Sequence, residues 1–72
     1  MEEYEIYLKK ALEQKNEFGS VNILPLESND RMIVDVLKRK GLIKNVRYIT
    51  TIGVGFDFTY DGLHYFDREE RV

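Results

Sequence analysis

The chain has 72 residues, no Cys and no Trp, with 43% hydrophobic and 33% charged residues and a formal net charge of -2. That length supports a single domain, 1–72, and the balance of apolar and charged residues fits a folded domain rather than a disordered one. A disulfide framework and a thiolate metal site are excluded, and no apolar run reaches the length of a membrane span. Met1 leads into acidic residues rather than a basic signal-peptide start, so a small cytoplasmic domain is expected.

The net charge hides a strong segregation. Residues 1–30 carry three Lys and seven Asp/Glu, a balance of −4; residues 31–47 carry six Lys/Arg and one Asp, a balance of +5; residues 48–72 carry two Arg and five Asp/Glu, a balance of −3. A basic middle between two acidic arms speaks to partners rather than to fold.

Glu2 to about Glu17 reads as an amphipathic helix. Tyr4, Tyr7, Leu8, Ala11 and Leu12 form one stripe, Ile6 points away from it, and Gly19 supplies a stop. Ser20 to Leu26 is β-prone and contains the only proline, Pro25, which predicts an edge strand ending there. A second helix follows, capped by Ser28 and closed at Gly41. Its apolar face is read as Met32, Ile33, Val36 and Leu37, opposite Ser28, Arg31, Asp35, Lys38 and Arg39, and Leu42 and Ile43 tuck back beneath it.

From Val46 the period changes to two. Val46, Tyr48, Ile52, Val54, Phe56, Phe58 and Tyr60 share one face, with Arg47, Thr51, Asp57 and Thr59 on the other. Gly53 and Gly55 lie midway, so two antiparallel strands joined near Thr51–Gly55 are predicted, with Arg47 facing Asp57. A last helix, from Tyr60 to about Glu69, is capped by Thr59 and turns Leu63 and Phe66 inward. The fold class is therefore α+β: three helices and a small sheet of two or three strands.

Two stretches in this order resemble a known family. Val36-Leu37-Lys38-Arg39-Lys40-Gly41-Leu42-Ile43 is similar to the close of a winged-helix recognition helix, and Phe58-Thr59-Tyr60-Asp61-Gly62-Leu63-His64-Tyr65-Phe66 is similar to the stretch that ends the wing and opens a final helix. Together they cover roughly residues 28–67 and resemble a small bacterial or prophage-type winged-helix domain. Residues 18–27 leave almost no room for the helix that usually precedes the recognition helix, so that element is missing or shortened. The resemblance implies that helix 28–40 enters the DNA major groove and that the hairpin contacts the flanking backbone.

On that reading Arg31, Lys38, Arg39, Lys44 and Arg47 meet phosphates, while Ser28, Asn29 and Arg31 lie near base edges. A homodimer on double-stranded DNA is expected, since one short helix offers limited specific contact area. The alternative is a protein-interaction module on the same scaffold without DNA. It draws on Asp35, which can pair with Arg31, Lys38 or Arg39, and on Glu27 and Asp30 beside the helix start. The hairpin tip also lacks Lys and Arg; its Ile52 and Val54 are either core or a docking patch.

Catalysis is not expected. No Ser pairs with His64 and an orienting carboxylate, and the glycines at 53 and 55 are followed by neither a "G-K-[ST]" motif nor a helix. No cofactor is implied. Asp61, His64 and Asp67, spaced by three, are too few and too ordinary as surface groups to argue for a metal.

Overall fold

The computed structural model describes residues 2–27, 29–49 and 53–67. Its elements are α1 (Glu3–Glu13), β1 (Ser20–Pro25), α2 (Asp30–Arg39), β2 (Ile43–Ile49), β3 (Gly53–Phe58) and α3 (Tyr60–Leu63). The α+β class with three helices and a three-stranded antiparallel sheet follows directly. Among the described residues, no helix is long and apolar enough to cross a membrane.

In α1 the expected stripe faces the core. Tyr7, Leu8 and Ala11 are buried, Tyr4 and Leu12 pack at its margin, and Ile6 is exposed. The first turn is closed by the Glu5 carboxylate, which accepts from the Glu2 N–H at 2.9 Å. The helix stops at Glu13 rather than Glu17 because Asn16 competes for the backbone. Its Oδ1 accepts from the N–H groups of Phe18 and Ser20, and its own N–H donates to Ser20 O. Gly19 therefore lies in the turn into β1 and does not cap α1.

β3 is the central strand, in the order β1-β3-β2. Both edges are irregular: Asn22 and Ile23 oppose Gly55 on one side, and Asn45 and Val46 oppose Phe56 on the other. Such bulges, together with Pro25 at the end of β1, blunt the edges against pairing with another sheet. Asn45 takes a φ of 54°, and the extra residue lets odd-numbered Ile43 and even-numbered Tyr48 share one face. Strand β2 consequently starts at Ile43, earlier than the period-two pattern places it. Val54, Phe56 and Phe58 are buried, so Val54 is core; the joint expected near Thr51–Gly55 is placed too late, since Gly53 and Gly55 belong to β3, while Thr51 and Ile52 lie outside the described residues.

The inward face of α2 differs from expectation. Val34 and Leu37 are buried and Ile33 and Val36 half-buried, whereas Met32 is 71% exposed. At 100° per residue Met32 lies on the side of the helix away from Val34 and Leu37. The C-terminus closes as expected: Gly41 N–H donates to Lys38 O and Leu42 N–H to Leu37 O, both at 3.0 Å, with Gly41 at φ 72°. Leu42 and Ile43 are buried beneath it.

That terminus is locked onto α3. Thr59 Oγ1 donates to Gly41 O and accepts from the Gly62 N–H, the expected cap. A Cβ at Gly62 would lie 1.9 Å from Leu42 O, so only glycine permits this approach. α3 ends at Leu63, sooner than expected, with one further tight turn at 66–67; residues 68 and 69 lie outside the described residues. Leu63 and Phe66 pack against the core, while Tyr60 is exposed rather than inward.

Candidate nucleic-acid interface

The outward face of α2 carries Arg31, Asp35 and Arg39 at intervals of four, with Lys38 beside them; all four are exposed. Asn29, also exposed, stands at the N-cap position without a side-chain cap bond. Ser28, expected both to cap the helix and to approach bases, lies outside the described residues. Near the start of α2 the Asp30 carboxylate accepts from the Glu27 N–H at 2.8 Å.

Two of the α2 cations are engaged within the chain. Arg39 Nη2 lies 2.6 Å from Asp35 Oδ2, with both side chains at least half exposed. Such a pair is worth about 0.3–0.5 kcal/mol, less than the roughly 1.5–3 kcal/mol of a hydrogen bond to a charged group. Of the three partners open to Asp35 in the sequence, Arg39 is the one it takes. The Arg31 guanidinium sits over the Tyr48 ring, 4.6 Å from its centroid, and so joins the start of α2 to β2.

Lys44 and Arg47 occupy the opposite face of the sheet. Cross-strand partners share a face, and the register pairs Lys44 with Asp57, Arg47 with Gly55 and Tyr48 with Val54. The expected Arg47–Asp57 facing is thus shifted by the bulge into a diagonal, with Nη1 3.9 Å from Asp57 Oδ1 and donating to Asn45 O at 2.9 Å. Asp57 ties the three strands together, accepting from Asn45 Nδ2 at 2.8 Å and Ser20 Oγ at 2.6 Å. Those two bonds, Asn45 first, hold its carboxyl below the usual aspartate range, and the positive charges of Arg47 and Lys44 act in the same direction more weakly. The basic segment is thereby divided between the outward side of α2 and the outer face of β2.

A second surface was not singled out by the sequence reading. Lys40, the last residue of the expected helix 28–40, lies with its Nζ 4.7 Å from the Tyr4 ring centroid. Beside it runs a hollow of about 450 Å³ between the start of α1 and α2, floored by Ile33 and Val36 and flanked by Met32 and Glu3. The polar contacts at this corner are internal: the Tyr4 and Tyr65 hydroxyls lie 3.0 Å apart, and Tyr65 Oη donates to Glu5 Oε2 at 2.8 Å. These bonds, that to Tyr4 first, raise the Tyr65 phenol well above its ordinary value. Tyr7 is pushed up to about 12 by burial, with the charge of Asp30 adding to it, and its hydroxyl has no hydrogen-bond partner among the described residues.

His64 offers little chemistry. Its Nδ1 is 2.7 Å from Asp67 Oδ2 and its ring lies 4.4 Å from that of Tyr60. Among the described residues no group of three or more His, Cys, Asp or Glu is arranged to hold a metal ion. Compared with known protein families, curated proteins and solved structures, the chain shows no match.

Proposed function

We propose that the chain is a small DNA-binding regulator of transcription with a winged-helix-like domain, which lays the outward side of α2 against duplex DNA while the β2–β3 hairpin flanks it. The observation that carries the reading is the exposure of Arg31, Lys38 and Arg39 on a single helix whose other side, Val34 and Leu37, is consumed by the core. A recognition helix must be held rigidly while its outward side stays free. Here the missing middle helix is replaced by two ties, Arg31 on Tyr48 at the start and Gly41–Leu42 on Thr59–Gly62 at the end. Lys44 and Arg47, exposed on the outer face of β2, point away from the side that α2 presents and are left out of this contact.

The test is a mobility shift with genomic duplex fragments at low and moderate salt. The wild-type chain is expected to bind at low salt, and the Arg31→Ala/Lys38→Ala/Arg39→Ala variant to bind far more weakly while remaining folded. Absence of duplex binding at low salt, where the electrostatic contribution is largest, overturns the reading. One observation favours a second function, a protein-interaction module without DNA: Arg39 and Arg47 already lie beside carboxylates, which partly compensates the basic segment. A protein partner recovered equally well after nuclease treatment, with no duplex binding, would decide for it.

A further inference from the structure

Of the large hydrophobic residues exposed among the described residues, two lie on the paired helices α1 and α2: Ile6 at 57% and Met32 at 71%. They border two adjoining hollows, taken together as a trough. Glu3 and Ile33 line the hollow beside Met32 and also a second one of about 250 Å³ beside Ile6 and Lys10. Apolar side chains flanking a polar-rimmed groove mark a contact surface.

The charges on α1 select the occupant. Glu3, Ile6 and Lys10 follow one another at helical intervals on its exposed side, with the acid and the base about 10 Å apart along the axis. A two-fold axis crossing α1 near Ile6 brings Glu3 of each copy against Lys10 of the other and sets the two Ile6 side chains together. A parallel arrangement would instead oppose Glu3 to Glu3 and Lys10 to Lys10. Glu3 and Lys10 thus make the exposed side of α1 complementary to itself in the antiparallel sense, while both hollows carry charges of both signs, with Lys40 and Glu2 near Met32 and Asp30 near Lys10. We propose that this trough is the interface with a second copy of the chain, formed by antiparallel α1 helices with Met32 of each copy closing over the margin. The interface is self-complementary, as two-fold symmetry requires, and small, so the dimer is weak and concentration-dependent. It does not depend on DNA binding.

Sedimentation equilibrium from about 10 µM to about 500 µM covers the range of a small, weak interface. The wild-type mass is expected to rise from one chain toward two. Glu3→Lys and Lys10→Glu, each alone, should weaken association by about tenfold or more, equivalent to about 1.4 kcal/mol, because both symmetric contacts become repulsive. An equimolar mixture of the two variants should recover association as a heterodimer, as should the double variant with itself, and circular dichroism should show each variant folded. Recovery on mixing separates charge pairing across an interface from damage to the helix. A wild-type chain that stays monomeric throughout, single variants that associate like wild type, or a mixture no better than its components would overturn the proposal. A monomeric result would leave the trough to a different partner.

Discussion

The two ends of α2 are held by different physics. At the C-terminal end, backbone meets backbone: Gly41 and Leu42 close the helix with two hydrogen bonds, Thr59 bridges to Gly41 O, and Gly62 lies against Leu42 O. The N-terminal end is held by side chains at the surface, with Arg31 lying on Tyr48 and Asp30 accepting from the Glu27 N–H. The locked end fixes the direction of the helix; the other end carries Asn29 and Arg31, which the proposed function sets nearest the bases.

Three substitutions grade that contrast. Gly62→Ala is expected to have the largest effect, about 3 kcal/mol or more, since its Cβ would lie 1.9 Å from Leu42 O and a backbone carbonyl must move. Thermal unfolding would show it as a strongly lowered Tm, and an unchanged Tm would show that this end is not locked. Tyr48→Leu keeps an apolar side chain but removes the ring beneath Arg31, which should cost about 0.5–1 kcal/mol in urea unfolding. Asn29→Ala should change stability least, under about 0.5 kcal/mol, because the side chain makes no cap bond. Any loss of DNA affinity in that variant would then report contact rather than folding.

Much of the fold was legible because it is written in local patterns. The α1 stripe, the strand stopping at Pro25, the glycine after α2 and the period-two alternation of Val54, Phe56 and Phe58 each need only neighbouring residues. The errors arose where a pattern was degenerate or a distant group intervened. Met32, Ile33, Val34, Val36 and Leu37 cover more than one side of a helix, so periodicity alone did not expel Met32 or pull in Val34. Asn16 ended α1 by a side-chain bond that helical spacing does not register, and the bulge at Asn45 exists only against β3. In the candidate site, the exposure of Arg31, Lys38 and Arg39 was readable from α2, as was the i,i+4 pairing of Asp35. The seating of Arg31 on Tyr48 and the tie of three strands through Asp57 join residues far apart in the chain, and sequence spacing carries no trace of them.

The proposed function requires α2 to meet phosphates with its outward side. Each phosphate contact contributes about 0.9 to the slope of log affinity against log salt on duplex DNA. Comparing wild type with the Arg31→Ala/Lys38→Ala/Arg39→Ala variant across a salt series tests this most directly. A slope shallower by up to about 2.7 is expected in the variant. Equal slopes, or no duplex binding by either chain at low salt, would contradict it.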